Sequence, residues 1–228
     1  MLSERLFKTE MMDDPALPQR TYEAVLADLA KVNRFTLAYR PTLLFLQRAV
    51  AGRKSFKLLD VGFGQGDMLR EIAGWAKRHG IGAELVGVDL NPRSEKSARD
   101  ATASDLPISY HTGDFADLAG EGWDFIISSL VAHHMTTEEL VPFLRFMEAE
   151  ATCGWFVNDL HRHSFSYAMY PILAFLAGWH RIVRIDGRTS IGRAFIPDEW
   201  CELLTEAQIK GGQVSRFFPF RLCVSQIR

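Results

Sequence analysis

The segment Leu58-Leu59-Asp60-Val61-Gly62-Phe63-Gly64-Gln65-Gly66-Asp67 constrains this chain more than any other. An apolar run leads into glycines at alternate positions, 62, 64 and 66, and a helix-periodic stretch follows. That is a buried strand, a tight turn and a helix start. Glycine reaches positive φ and leaves no Cβ between the main chain and a ligand. The helix behind it presents free N–H groups and a partial positive charge, which suit a carboxylate as well as a phosphate. A turn that binds nothing is the alternative, but three glycines are an entropically costly way to build one. A dinucleotide-binding turn spaces its glycines G-x-G-x-x-G, which would put the third at position 67. Position 67 is Asp, so a nicotinamide oxidoreductase is disfavoured and a different nucleotide-like ligand is expected.

Around this turn the chain alternates. Apolar strands are predicted at Lys57–Gly62, Glu84–Leu90, Ile108–Thr112, Trp123–Leu130 and Gly154–Leu160. Helices are predicted at Met68–His79, with Leu69, Ile72, Ala73 and Ala76 on one face, and at Pro92–Thr102 and Glu138–Ala149. Repeated β-α units imply a parallel sheet covered by helices on both faces, with right-handed crossovers. Upstream, Thr21–Val50 carries helical spacing broken at Pro41. Downstream, Ser164–Trp179 is apolar nearly all round and reads as a buried helix pair in a cap, or as a lid or membrane-resting patch. Asp186–Ser190 reads as a polar loop, and Pro197–Ala207 as a helix with proline in its first turn. Gln213–Phe218 and Arg221–Gln226 are close enough to form an antiparallel edge hairpin.

The pattern D-x-G-x-G-x-G resembles motif I of the class I S-adenosylmethionine-dependent methyltransferases, small-molecule type, and is similar to the quinone- and polyketide-pathway enzymes. Asp89 ends the second strand, where an acidic side chain at the carboxyl edge of the sheet accepts from ribose hydroxyls; capping the next helix is its alternative role. The resemblance extends over Leu58–Leu140. It implies an α/β, Rossmann-like fold with a seven-stranded, mostly parallel sheet, an antiparallel edge hairpin and a helical cap. It also implies a cofactor site formed by Asp60, Gly62, Gly64, Gly66, Asp89, Leu90, Asp114, Phe115 and Ser129. In that arrangement Asp114 and Phe115 address the adenine, Leu90 packs beside it, and Asp60 orients the turn near the methionyl amine. Residues 1–50 are then an N-terminal helical arm, and 51–228 the methyltransferase domain with an insertion around 164–195.

Two histidine groups follow predicted strands, His133-His134 and His161-Arg162-His163. Imidazole takes up a proton near neutral pH, so His133, His134 and His161 are the candidate bases. Capping or core hydrogen bonding is the competing role for the pair. Asp159 either orients a histidine or caps a turn; Arg162 either holds a substrate oxygen or is a solvated surface arginine. Asn33, Arg34 and Tyr39 face the substrate or the surface. Metal binding by the four histidines on adjacent loops is an alternative, but the His-x-His spacing is no zinc signature by itself and Cys153, Cys201 and Cys223 form no C-x-x-C pair, so no metal and no disulfide framework are expected. The amino-methylating relatives carry N/D-P-P-Y where this chain reads Ser128-Ser129-Leu130-Val131, which disfavours adenine or glutamine as acceptor.

The expected acceptor is therefore small and rather apolar, aromatic, phenolic or quinone/polyketide-like, in secondary metabolism. O-methylation is favoured over C- or N-methylation, with a non-catalytic cofactor- or partner-binding protein as the alternative. A net charge of −2 excludes a generally basic nucleic-acid surface. The acidic start, with Glu4, Glu10, Asp13 and Asp14, is unlike a signal peptide, so a cytoplasmic monomer or homodimer without stable membrane insertion is expected.

Overall fold

The computed structural model describes residue 2 and residues 4–228. The apolar runs form the strands β1 (Ser55–Val61), β2 (Gly82–Asp89), β3 (Ile108–Thr112), β4 (Phe125–Ser129) and β5 (Gly154–Leu160), all mutually parallel. The last two, β6 (Gln213–Phe217) and β7 (Arg221–Ile227), pair antiparallel, and β7 also runs antiparallel to β5. The order is β3-β2-β1-β4-β5-β7-β6. This is the class I methyltransferase fold, with the expected hairpin placed so that β7 lies between β5 and the edge.

Helices cover both faces because each carries an apolar stripe. Helix α1 (Gln19–Phe35) and helix α2 (Arg40–Ala49) precede the sheet, and Pro41 opens α2 instead of kinking one long helix. Phe45 of α2 stacks on Phe156 at 4.9 Å, and helix α3 (Asp67–Arg78) buries Leu69, Ile72, Ala73 and Ala76 on the same face. Half of the N-terminal arm is thus part of the sheet's own core. Helix α4 (Pro92–Ala101) follows β2, capped by the Asn91 side chain. On the opposite face, helix α5 (Thr137–Glu150), started by a Thr136/Glu139 capping box, packs with helix α8 (Pro197–Glu206) around Trp123, Phe143, Trp155 and Trp200. Fully burying an apolar side chain of this size contributes about 1.5–3 kcal/mol, so each face anchors the sheet independently.

Between β5 and α8 the chain forms the cap, helices α6 (Ser164–Leu176) and α7 (Arg181–Arg193). Two expectations fail here. Asp186–Ser190 is no loop; it lies inside α7, where the buried Asp186 carboxylate accepts the N–H groups of Met11 and Met12, both at 2.9 Å. The polar residues that read as a connector are helix positions facing an N-terminal segment. The second is the buried reading of Ser164–Trp179, which does not hold for α6, while its lid or surface-patch alternative stands. Only Ser166 and Ala174 are buried in it, while Phe165, Met169, Ile172, Leu173, Phe175 and Leu176 are exposed. Among the described residues no helix is long and apolar enough to cross a membrane.

Candidate active site

The carboxyl ends of β1, β2 and β4 and the cap enclose one cavity of about 860 Å³. Its floor is the glycine turn: Val61, Gly62, Phe63, Gly64 and Gln65 line it, with Asp89 and Leu90 at and just after the end of β2 and Ser129 and Leu130 at and just after the end of β4. The turn's glycines differ in purpose. Gly64 has φ +55°, and a Cβ there would meet nothing nearer than Leu26 Cδ2 at 4.0 Å, so its missing side chain leaves room in the cavity. Gly66, at φ +72°, lies where a Cβ would stand on the Tyr110 ring, and it seats α3 against β3. Asp89 ties the turn to β2. Its Oδ2 accepts the Gly64 N–H at 3.0 Å and its Oδ1 the Asn91 N–H at 2.8 Å. Burial raises its carboxyl above the ordinary value although those two donors pull it down.

Asp67, the residue that broke the dinucleotide spacing, is where the arm is fastened. Its Oδ2 accepts from the Tyr39 hydroxyl at 2.8 Å and the Asn33 amide at 3.0 Å. Asn33 and Tyr39 therefore clamp the turn, while Arg34 is exposed and pairs with Glu71 at 3.6 Å. Behind the turn, Asp60 is fully buried, and among the described residues its Oδ1 has no hydrogen-bond partner. Burial, with Asp67 and Asp89 nearby, holds its carboxyl well above the usual range. The Ser129 hydroxyl and Arg221 Nη1 are likewise buried without a partner, and both groups line a small pocket beside Asp60. Arg221 escaped the sequence reading because an arginine opening a strand of a terminal hairpin ordinarily reads as solvated, whereas β7 lies inside the sheet between β5 and β6. Of the third-strand residues, Gly113 and Phe115 line the cavity, whereas the Asp114 carboxylate accepts the Ala116 N–H at 2.9 Å and caps a short 3-10 turn.

The far wall is apolar and aromatic: Phe165, Met169 and Leu173 of α6, and Phe218 and Phe220 of the β6–β7 turn. The exposed face of α6 noted above adjoins its mouth. His133, His134 and His161 all lie on this cavity. His133 is buried, its Nδ1 2.7 Å from Asp159 Oδ1, and its backbone N–H donates to Asp159 Oδ2 at 2.8 Å. Burial raises the Asp159 carboxyl, but the His133 ring and two backbone donors outweigh it and leave it below the ordinary value. Asp159 therefore orients His133. His134 lies beside it, with ring centroids 4.3 Å apart. His161 is lowered by burial and then by Arg216.

Arg162 fits neither expectation. It is buried and pairs in bidentate fashion with Glu199, at 2.9 and 2.7 Å, so it joins the cap to α8 and serves packing. Glu10 was missed. It is 4% exposed, accepts from the Ser190 hydroxyl at 2.7 Å, and sets Oε1 3.7 Å from His133 Nε2 and 3.8 Å from His134 Nε2. Burial pushes its carboxyl up to about 7. No periodicity marks an acid in an irregular N-terminal segment, so no sequence signal pointed to it.

Residues 58–149 match the family model described as a methyltransferase domain. No curated protein matches the chain. Similar solved structures include the magnesium protoporphyrin IX methyltransferase of Synechocystis PCC 6803 with S-adenosylhomocysteine bound, at TM-score 0.57 and 15% identity, covering 95% of this chain and 90% of that one. The plantazolicin methyltransferase, in complex with a monoazolic desmethylPZN analog and S-adenosylhomocysteine, gives TM-score 0.59 and 15% identity, covering 92% and 87%. Human N-acetylserotonin methyltransferase in complex with S-adenosylmethionine gives 0.65 and 14%, covering 92% of this chain and 56% of that one. The residues present fit that cofactor: room over Gly64, an acid ending β2, and unpartnered polar atoms on Asp60 and Ser129. Residues 58–149 therefore match a methyltransferase domain, and the chain as a whole carries the class I methyltransferase fold.

Proposed function

We propose that the protein transfers a methyl group from S-adenosylmethionine to a small, rather apolar acceptor, an aromatic phenol or a quinone- or polyketide-like hydroxyl. The observation that carries this reading is the single cavity that runs from the glycine turn to the paired histidines between aromatic walls. The cofactor supplies a methyl carbon on a sulfonium sulfur, and such a displacement chiefly needs alignment and exclusion of water. Gly62, Gly64, Asp60, Asp89, Leu90 and Ser129 hold the cofactor, with Phe115 beside its base and Asp114 acting through the turn it caps. Phe165, Met169, Leu173 and Phe220 close over the acceptor and keep water out. His133 and His134 mark the end where an acceptor hydroxyl loses its proton, His133 with its ring fixed by Asp159; His161 is the third candidate, on the β5 side. Hydroxyl acceptors are favoured over carbon and nitrogen because a proton-accepting end serves the hydroxyl most directly. A cytoplasmic enzyme of secondary metabolism, as monomer or homodimer, accords with this reading.

The test is methyl transfer from labelled S-adenosylmethionine to a panel of apolar phenols and hydroquinones, each beside its methyl ether. Labelled ethers formed from the free phenols alone support the reading. A folded protein that binds S-adenosylhomocysteine yet labels no acceptor in the panel would support a cofactor-binding, non-catalytic role instead.

A further inference from the structure

We infer that Glu10, His133 and His134 form a binding site for a divalent transition-metal cation of the Zn2+ type, open to the acceptor end of the cavity. Glu10 Oε1 lies 3.7 Å from His133 Nε2 and 3.8 Å from His134 Nε2, and the ligand atoms of the three residues all lie within 4.8 Å of one another. Zinc binds nitrogen and oxygen at about 2.0–2.2 Å, which in a tetrahedral site sets ligand atoms about 3.3–3.5 Å apart. The two Glu10–histidine separations exceed that spacing by only a few tenths of an ångström.

The outer partners point the same way. Each imidazole turns its Nε2 toward Glu10 and its Nδ1 toward a second carboxylate: His133 to Asp159 at 2.7 Å, His134 to Asp13 at 3.5 Å. A carboxylate behind each histidine fixes the ring and strengthens the other nitrogen as a ligand, an arrangement that accompanies metal-binding histidines. Glu10 is itself positioned by the Ser190 hydroxyl at 2.7 Å. The main chain of the pair is braced as well, since Arg193 donates to the His133 and His134 carbonyls at 3.1 and 3.0 Å. Two imidazoles and one carboxylate are a borderline-to-hard set, better suited to zinc and its first-row neighbours than to calcium or magnesium, which prefer oxygen alone.

Three protein ligands leave a coordination position free, and all three line the acceptor cavity. A cation there would orient an acceptor oxygen and lower its pKa, with His133 and His134 then serving as its ligands rather than as bases. Binding of the cation stands independently of the acceptor's identity and of catalysis.

The test uses the full-length, chelator-stripped protein titrated with Co2+ and followed by its visible absorption, with Zn2+ then added in competition. One equivalent should bind, Zn2+ should displace it, and Glu10→Gln and His134→Gln should each weaken binding by tenfold or more. His161→Gln should leave it unchanged. Each variant is also titrated with S-adenosylhomocysteine; retained affinity shows that the fold survives and separates this site from the cofactor site. No stoichiometric uptake by a protein that binds S-adenosylhomocysteine would overturn the inference. So would uptake unaffected by Glu10→Gln and His134→Gln, or abolished by His161→Gln.

Discussion

The sharpest consequence of the site concerns Asp89→Asn, a change of almost no volume. Both carboxylate oxygens of Asp89 accept from backbone N–H groups, Gly64 at 3.0 Å and Asn91 at 2.8 Å. An amide has one acceptor oxygen and one donor nitrogen. Whichever way the substituted amide is turned, its NH2 confronts an N–H, and the bond that survives loses its charge. A hydrogen bond to a charged group contributes about 1.5–3 kcal/mol, and charge-assisted bonds are roughly twice as strong as neutral ones. Losing one bond and halving the other therefore costs about 2–4 kcal/mol. Against this, burial raises the Asp89 carboxyl, a penalty the amide escapes, so a net destabilisation of about 1–3 kcal/mol is expected. If the same oxygens receive the ribose hydroxyls, S-adenosylhomocysteine affinity falls about 10–100-fold, at about 1.4 kcal/mol per tenfold. Urea unfolding and calorimetric titration of parent and variant measure the two effects. A variant with the parental midpoint and an affinity within about twofold of the parent would refute both the clamp and the ribose role.

Asp60→Asn should stabilise the cofactor-free protein while weakening S-adenosylhomocysteine binding. The folded carboxyl is raised above its unfolded value, so the native state keeps a proton that the unfolded chain releases. Stability contributed by Asp60 is then lost as pH rises from about 4 toward the folded pKa, and the variant's advantage grows over that window; a melting-temperature difference that does not change with pH contradicts this. Gly64→Ala forces a left-handed alanine at about 1–2 kcal/mol and intrudes on the cavity, whereas Gly66→Ala meets Tyr110. The first should impair cofactor affinity beyond its effect on unfolding, and the second mainly stability; equal effects on affinity would contradict the distinction. Glu199→Ala removes the bidentate carboxylate from the buried Arg162 guanidinium, which keeps other acceptors such as the Ala194 carbonyl, and should lower unfolding free energy by about 1–3 kcal/mol without changing the pH profile of turnover.

The sheet was legible because its strands are short apolar runs bounded by turn residues, and β3 and β5 occupy the predicted Ile108–Thr112 and Gly154–Leu160. The α3 face was legible from its 3.6-residue period. Where a face is not set by burial, pattern loses meaning. The apolar surface of α6 reads as core, yet it stays exposed, with Phe165, Met169 and Leu173 on the cavity wall. The polar run in α7 reads as a loop because Asp186 and Ser190 are satisfied by distant residues, Met11, Met12 and Glu10. The same distance hid half of the site. Asp89 and the glycine turn are neighbours in pattern, but Glu10 meets His133 only after the N-terminal segment crosses the cap, and Arg221 reaches Asp60's pocket only through strand order.

The central claim is that the turn after β1 holds the adenosyl cofactor, and calorimetric titration with S-adenosylhomocysteine, beside NADH, tests it most directly. One equivalent should bind in the micromolar range, binding should be abolished or strongly weakened by Asp89→Ala, and NADH should give no heat. A folded protein that ignores S-adenosylhomocysteine, or that binds NADH in its place, would contradict it.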